Sequence, residues 1–148
     1  MFRYLLFISG MRRNTPIAEI ARKSDITVQS TDRISVVYRL MKQHTLAHVP
    51  VVEQNKIVGI ISRKAIKRLG FGYEFDGRDD VELGMFDMLQ ANQVMDGGTP
   101  HISLSATVGE VVELMVKNEF IALPAFHQGK LVGVIDIYDI VLFLLKAG

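Results

Sequence analysis

The sequence predicts a mixed α/β (α+β) protein built from two tandem copies of one β-α-β-β-α unit, packed with pseudo-twofold symmetry. The first observation is an ungapped internal repeat, in which residues 46–61 match residues 120–135. Pro50 aligns with Pro124, which sets the offset between the copies at 74 residues (124 − 50). The second observation is that 49% of the 148 residues are hydrophobic, which is enough for a sizeable core. Because one copy alone has little apolar surface to bury, each copy is expected to complete the core of the other.

The elements of the first copy follow from hydrophobic periodicity and turn chemistry. Proline at a first-turn position predicts a short helix over residues 16–23, and alternating β-branched residues predict a strand over 26–29. N-cap residues at 30–32 open a helix whose apolar face is formed by Ile34, Val37, Leu40 and Met41. A hairpin and a closing helix follow, with strands at 49–52 and 57–61, a positive-φ turn at 54–55, and a helix from Ser62 to about residue 69.

The second copy repeats this plan, and a linker separates the two copies. We expect a strand from Ile102, a helix capped by Ser105, hairpin strands over 123–126 and 130–135, and a last helix over 137–146 capped by Asp136. The linker is predicted to carry a helix over 81–93, and its Gly70-x-Gly72 pattern lacks the third glycine of a dinucleotide site. The predicted organisation is an N-terminal arm (1–16), a first motif (17–69), the linker (70–93) and a second motif (94–148).

Composition excludes several classes of function. A formal net charge of +1 argues against a nucleic-acid partner, and the absence of cysteine excludes a disulfide scaffold, a thiolate metal site and a thiol nucleophile. The apolar run at residues 2–8 is too short to span a bilayer, so we expect an arm that packs on the body or on a partner chain, with Met11 as an alternative start. His44 and His48 are separated by an expected strand boundary, and no catalytic motif occurs. We therefore predict a cytoplasmic protein with no enzyme activity, no metal and no required cofactor.

Two sets of residues at matching spacing carry a family resemblance. In both copies a proline opens the middle strand and a glycine lies inside the last one. The matching residues of the first copy are Leu40-Met41, 48–52 and 58–62, and those of the second copy are Leu114-Met115, 123–124 and 132–139. The chain resembles the CBS (cystathionine-β-synthase) domain, and its two copies resemble a CBS pair, or Bateman module, over residues 17–145. The resemblance implies two clefts between the copies that take adenosine compounds, namely AMP, ADP, ATP or S-adenosylmethionine, and a regulatory role without catalysis.

The resemblance also implies which residues line the clefts. In this family a hydroxyl-x-x-Asp pattern follows the glycine strand, and its Asp accepts hydrogen bonds from the ribose hydroxyls. The second copy has Asp139 at the ribose position but Asp136 at the hydroxyl position, whereas the first copy has Ser62 and Ala65. Mapped residue by residue, the first cleft would be lined by Asp136, Tyr138, Asp139, Ile26, Leu46 and His48. The second cleft would be lined by Ile60, Ser62, Pro100, Phe120 and Ala122.

The first cleft is the better candidate because it keeps the ribose carboxylate. Ile26 and Leu46 are expected to sandwich an adenine, and His48 is expected to face a phosphate or the cleft mouth. Asp136 opposes phosphate, since a carboxylate at a helix N-terminus occupies the same N–H groups and repels an anion. We therefore expect a neutral or cationic adenosyl compound, or a nucleotide whose phosphates are offset by His48 or by a basic group of a partner subunit. The alternative is that Asp136 and Asp139 are only a helix cap and a first-turn acid.

The last helix is apolar nearly all round, which predicts burial on more than one side. One side is expected to face the core of the chain and the other a second copy, giving a homodimer through the terminal helices. Two functions stay open at this point. One is a regulatory sensor of an adenosine-containing ligand, and the other is an assembly and dimerisation module whose degenerate clefts act only through protein contacts. No effector protein is indicated by the sequence.

Overall fold

The chain forms two compact units that interleave along the sequence. The structure, a computed structural model, describes residues 12–69, 84 and 86–146. One unit is made of residues 26–99, and the other of residues up to 25 together with residues from 100 onward. Residues 17–25 thus fold with the second copy of the repeat, and residues 94–99 fold with the first. The boundaries predicted for the two sequence motifs and the linker, at residues 17, 70 and 94, stay predictions.

The described secondary structure follows one plan twice. In chain order the elements are a 3₁₀ turn (Ile17–Glu19), β1 (Arg22–Lys23), β2 (Val28–Gln29), α1 (Ile34–Gln43), β3 (His48–Glu53), β4 (Lys56–Ser62), α2 (Arg63–Arg68), α3 (Ala91–Val94), β5 (Asp96–Gly97), β6 (Ile102–Ser103), α4 (Val108–Asn118), β7 (Ala122–His127), β8 (Lys130–Asp136) and α5 (Ile137–Lys146). The predicted β-α-β-β-α order is confirmed in both copies.

In the unit of residues 26–99, the sheet has the order β2-β3-β4-β5. β2 runs parallel to β3, and the other two pairs are antiparallel. The predicted apolar face of α1 packs into this unit's core, where Ile34, Val37 and Met41 are fully buried. Phe86 joins the same core and meets Tyr38 edge to face, with ring centroids 5.4 Å apart. Such an aromatic pair adds about 1 kcal/mol to the stabilisation from buried area.

The other unit has the matching sheet order β1-β8-β7-β6. β6 runs parallel to β7, while β1 and β7 each pair antiparallel with β8. Its core is centred on the residues that the periodicity of α4 and the hairpin predict, including Val111, Leu123 and Ile135. The hairpin turns of both units contain residues with positive φ, as predicted: Gln54 and Asn55 in one unit, Gln128 and Gly129 in the other.

The repeated glycine of the last hairpin strand has a steric cause. At Gly133 an added Cβ would overlap the carbonyl oxygen of Arg22 and lie 3.0 Å from its carbonyl carbon. At Gly59 an added Cβ would overlap the carbonyl oxygen of Asp96 and lie 2.9 Å from the Met95 sulfur. Strands β1 and β5 therefore approach the strands they pair with so closely that only a residue without a side chain fits there.

Several local predictions are wrong, and each has a physical reason. The helix expected over 16–23 is only the 3₁₀ turn, because the residues after it pair with β8 as strand β1. The first long helix begins after Arg33, and the N–H of Ile34 donates to the carbonyl of Leu89 in place of a side-chain cap. The cap of α4 is Thr107 rather than Ser105, because Thr107 and Glu110 form a reciprocal capping box.

Two further predictions fall largely on residues that the structure does not describe. The N-terminal arm lies mostly within residues 1–11, and most of the linker lies within residues 70–83 and 85, outside the described ranges. Within the linker, Gly84 and Phe86 are helical, and α3 opens with a capping box between Gln90 and Gln93. The single helix expected over 81–93 is therefore interrupted at residues 87–90.

The last helix is less enclosed than its composition predicts. Ile140 is fully buried, and Phe143 and Leu144 pack against the same core. The opposite face is open to solvent, with Tyr138 56%, Leu142 51% and Leu145 72% exposed. One of the two sides expected to be buried is thus covered within the chain. The predicted burial of the other side by a second copy stays a prediction.

Candidate ligand site at the start of the last helix

The best-formed polar cluster among the described residues lies where β8 passes into α5. Asp136 ends the strand, and its Oδ1 accepts a hydrogen bond of 2.9 Å from the backbone N–H of Asp139. In return Oδ2 of Asp139 accepts a hydrogen bond of 3.3 Å from the backbone N–H of Asp136. The two acids therefore form a reciprocal helix cap that holds both carboxylates in place. This confirms the capping role that the sequence offered as the alternative reading of these residues.

A cation from the N-terminal segment of the same unit completes the cluster. Nε of Arg22 donates to Oδ1 of Asp139 over 2.9 Å, and the two side chains are 62% and 9% exposed respectively. Arg22 reaches this position because β1 pairs with β8, with Arg22 opposite Val134. The result is an ion pair with one nearly buried partner and one largely solvated partner. The contribution of this ion pair to stability lies between that of a surface pair and that of a buried pair. The contact therefore positions the two side chains more than it stabilises the fold.

Burial controls the ionisation of this carboxyl group. Loss of contact with water raises the pKa of Asp139 above its ordinary value, because the charged form is the one that water stabilises most. The hydrogen bond from Arg22 opposes this shift without cancelling it, and the nearby carboxylate of Asp136 adds to it. The same hydrogen bond raises the pKa of Arg22, so its guanidinium stays charged. The site therefore combines a permanent cation with a carboxyl group that protonates more readily than a solvated one.

The equivalent position in the first copy is built differently. Ser62 caps α2 by accepting a hydrogen bond of 3.0 Å from the N–H of Ala65, as predicted. Ala65 has no carboxylate to offer a ribose, and Asp96 stands where the repeat places the counterpart of Arg22, since both are opposite the same point of their hairpin strands. The first copy therefore keeps the helix cap and lacks the whole ion pair.

Each unit contains part of the residue set predicted for each cleft. The unit of residues 26–99 contains Ile26, Leu46, His48, Ile60 and Ser62, and its hairpin brings His48 directly opposite Ser62. The other unit contains Pro100, Phe120, Ala122, Asp136, Tyr138 and Asp139, and its hairpin brings Ala122 directly opposite Asp136. Each predicted cleft combines residues of both units, so the two clefts stay predictions.

Burial within each unit distinguishes the apolar members of this set. Ile60 and Ala122 are 3% and 4% exposed. Ile26 and Leu46 are half-buried and pack against the core of their own unit, and Phe120 does the same in the other unit. Tyr138 is the most exposed member at 56%. The half-buried residues have apolar surface left over for another group to cover.

Sequence reasoning missed Arg22. Its side chain is the direct partner of Asp139, although 117 residues separate the two along the chain. Arg22 and Asp139 belong to one unit, and the repeat aligns them with Asp96 and Ala65 of the other unit. Opposite charges stand at these two positions in only one of the two units. The pattern around Arg22 alone does not predict this contact, since a two-residue strand carries no information about its partner.

Comparison with known proteins now identifies the class. The fold is a tandem pair of α+β units, in which β1 forms an edge of one sheet and β5 an edge of the other. The profile of the CBS domain matches residues 17–72 and 91–146. The chain belongs to the CBS domain family, and its two motifs make it a CBS pair, as the resemblance indicated.

Similar proteins agree with this assignment. The chain is similar to the CBS domain-containing protein YhcV of Bacillus subtilis, with 29% identity over 114 residues, or 77% of this chain and 74% of that protein. Its fold is similar to the CBS domain pair of protein MJ0100 in complex with 5'-methylthioadenosine and S-adenosyl-L-methionine, with a TM-score of 0.71, 20% identity, and coverage of 90% and 98%. It is also similar to CBSX2 in complex with AMP, with a TM-score of 0.62, 16% identity, and coverage of 88% and 96%.

Within residues 12–69, 84 and 86–146, no group of three or more histidine, aspartate or glutamate side chains is arranged to hold a metal ion. Over the same residues, no helix has the length and apolar character needed to cross a membrane.

Proposed function

We propose that this CBS pair is a regulatory module that binds an adenosine-containing ligand, such as AMP, ADP, ATP or S-adenosylmethionine, and does no chemistry itself. The observation that carries the proposal is Asp139, a carboxylate in the first turn of α5 that is 9% exposed and oriented by two hydrogen bonds. Its pKa stays raised even with Arg22 beside it, and a carboxyl group with a perturbed pKa is a candidate functional residue. Support also comes from similar CBS pairs that were solved with AMP and with S-adenosyl-L-methionine.

In this proposal the Asp139 carboxylate receives the ribose. Each carboxylate oxygen has two lone-pair sites, and the hydrogen bonds from Arg22 and from the N–H of Asp136 use one on each oxygen. One site on each oxygen is left for the two vicinal ribose hydroxyls. Ile26 and Leu46 would cover the two faces of the adenine, and His48 would lie near the cleft mouth. The second cleft, with Ile60, Ser62, Pro100, Phe120 and Ala122, lacks a ribose carboxylate and is proposed to bind more weakly.

A thermal-shift screen with AMP, ATP and S-adenosylmethionine tests the ligand proposal. A ligand present at a hundred times its Kd should stabilise the folded chain by about 2.7 kcal/mol through mass action. Calorimetry on Asp139→Asn then tests the ribose role, because asparagine keeps the side-chain size and an acceptor for the N–H of Asp136. Loss of the charge-assisted hydrogen bonds should weaken binding at least about tenfold.

The matched control for this experiment is Asp96→Asn, which removes a carboxylate from an exposed strand of the same fold. It should leave ligand affinity unchanged. If none of the three ligands shifts the melting temperature, or if Asp139→Asn binds as tightly as the parent chain, the proposed function is wrong.

One observation favours the second candidate, an assembly and dimerisation module without ligand. The open face of α5 carries Tyr138, Val141, Leu142 and Leu145, between 46% and 72% exposed. A contiguous apolar face of this kind is typical of a protein interface. We propose that it pairs with the same face of a second copy, giving a homodimer. Dimerisation is compatible with ligand sensing, and it becomes the main function only if the ligand screen is negative.

The setting of the module follows from its proposed ligand. Adenine nucleotides and S-adenosylmethionine are intracellular metabolites, so we propose that the protein acts in the cytoplasm. Its output would be a change in contact with an effector protein, transmitted by ligand-dependent stabilisation of the two motifs. Affinity capture with and without AMP would test this, since a partner whose retention depends on the ligand is the expected result.

A further inference from the structure

The open face of α5 is an apolar surface that residues 12–69, 84 and 86–146 leave between 46% and 72% exposed. It consists of four side chains at the helical spacing i, i+3, i+4 and i+7: Tyr138, Val141, Leu142 and Leu145. These four are half of the large hydrophobic side chains that are exposed in the described part of the chain. Such a concentration on one helix indicates a surface that another segment or molecule contacts.

The chain enters the described structure beside this helix. The guanidinium of Arg12, the first described residue, lies over the ring of Phe143 on α5, 5.5 Å from its centroid. The next residue is fixed to α4, because the carbonyl of Arg13 accepts from the N–H of Gly109 over 2.9 Å and its side chain pairs with Glu113 at 2.6 Å. The segment that precedes Arg12 is therefore attached at the side of α5.

The sequence before Arg12 is apolar and long enough to reach the open face. Six of the seven residues 2–8 are aliphatic or aromatic. Residue 8 is four positions before Arg12, which at about 3.3–3.6 Å per residue gives a reach of about 13–14 Å. The ten residues of α5 span about 15 Å at about 1.5 Å per residue. The apolar run can therefore lie along the length of the face.

We propose that the apolar run, residues 2–8, packs on the open face of α5. The run lies outside the described residues. Its apolar composition, its length and its attachment beside Phe143 all match this surface. The inference goes beyond the proposed ligand function, which it does not require, and it adds a component to the proposed homodimer interface.

The two copies of the repeat have the same register in this region. The N–H of Val108 donates to the carbonyl of Thr15 over 2.9 Å. The equivalent bond in the other unit joins the N–H of Ile34 to the carbonyl of Leu89, also over 2.9 Å. The offset of 74 residues therefore holds for the helix and for the segment that contacts its first turn. The segments that precede these contacts can be compared at the same offset.

At the aligned positions the face and the preceding segment differ together between the copies. In the other copy the open face of α5 corresponds to three exposed basic side chains of α2: Lys64, Lys67 and Arg68. The apolar run corresponds to residues 76–82, which contain four acids and one arginine. An apolar segment thus accompanies the apolar face, and an acidic segment accompanies the basic face. Complementary chemistry in both copies favours contact between the apolar run and α5.

The area of the open face is small for an interface made of α5 alone. Aromatic side chains bury about 150–250 Å² and aliphatic ones somewhat less, so the exposed parts of these four residues offer roughly 400 Å² per copy. A stable interface takes about 800 Å² per partner. A contact between two bare α5 helices therefore provides about half of what a stable dimer needs, and the apolar run supplies the remaining surface.

A single fluorescent reporter in the full chain tests the inference. The chain contains no tryptophan, so Tyr4→Trp places one within the apolar run. Its emission should be shifted to shorter wavelength in the folded chain relative to the chain unfolded in urea, because the ring is buried against α5. Leu142→Glu in the same background should remove this shift, since a carboxylate on the face opposes apolar contact. Leu145→Glu, at the most exposed position of the face, should have the same effect.

The matched control is Met88→Glu, which places the same charge on a side chain that is 78% exposed in the other unit. It should leave the tryptophan emission unchanged. Melting temperatures of all variants verify that the fold is intact.

The outcomes separate this inference from the homodimer proposal. If the tryptophan of Tyr4→Trp emits at the same wavelength in the folded and unfolded chain, or if neither α5 variant changes its emission, the inference is wrong whatever the oligomeric state. A shift that appears only when vesicles of anionic phospholipid are added also overturns it, because the apolar run then contacts lipid. If the emission shows contact with α5 while light scattering gives a monomer, the inference stands and the homodimer proposal fails.

Discussion

The close approach of β1 to β8 makes Gly133→Ala a sensitive test of the fold. A Cβ at this position would overlap the carbonyl oxygen of Arg22 and would lie 3.0 Å from the Arg22 carbonyl carbon and 3.3 Å from Cα of Lys23. All three atoms are backbone, so no side-chain rotation relieves the overlap. The strand β1 has to move away from β8, and the guanidinium of Arg22 moves with it.

The magnitude follows from what that displacement breaks. Overpacking a well-filled site costs about 1–3 kcal/mol. The shift also strains the short ladder between β1 and β8 and the bond from the N–H of Ser24 to Val132, each hydrogen bond worth about 1 kcal/mol net. Replacing glycine by alanine returns about 0.4–1 kcal/mol by restricting the unfolded chain. We therefore expect Gly133→Ala to lower the free energy of unfolding by about 3 kcal/mol.

Urea unfolding followed by circular dichroism measures this change. The matched control is Gly97→Ala on strand β5, where the nearest atoms to the new Cβ are 3.8 and 3.9 Å away, an ordinary contact. That variant should be as stable as the parent chain. If Gly133→Ala is no less stable than Gly97→Ala, the close approach of β1 to β8 is not what requires glycine, and the steric explanation is wrong.

Three further predictions follow from the site and the last helix. Because burial raises the pKa of Asp139, its contribution to stability is greatest below the ordinary pKa of 3.8 and is lost as pH rises through the raised value. Asp139→Asn should remove this pH-dependent contribution from urea unfolding curves measured across acidic pH. An unchanged pH profile in the variant would contradict the prediction. Asp136→Ser keeps a helix cap and removes a charge, so calorimetry should give a larger gain in affinity for AMP than for adenosine. If the ratio of AMP to adenosine affinity is unchanged, Asp136 acts only as a helix cap. Light scattering should show the parent chain as a homodimer at micromolar concentration and the Leu145→Glu variant as a monomer. The control is Met88→Glu, which changes an exposed residue outside α5 and should stay dimeric. A monomeric parent chain would refute the interface.

Much of each unit could be predicted because its signals are local. The apolar face of α1, the positive-φ turns at Asn55 and Gly129, and the caps at Ser62 and Asp136 depend on residues within a few positions of one another. Helix periodicity, turn conformation and N-cap hydrogen bonds are each decided over that range. Where local signals competed, the prediction failed. Ser105 and Thr107 both have cap chemistry, and the partner Glu110 three residues on selects Thr107.

The sequence by itself determined the tandem repeat and the family, and it predicted the carboxylate at Asp139 as the residue of most functional interest. Only the tertiary structure decided that residues 17–25 and 94–99 fold with the opposite copy, that Gly59 and Gly133 give room to the strands of those segments, and that Arg22 pairs with Asp139. The physical reason is that strand pairing is long-range. A two-residue strand such as β1 has too few side chains to specify a partner, so its pairing depends on the edge that β8 offers.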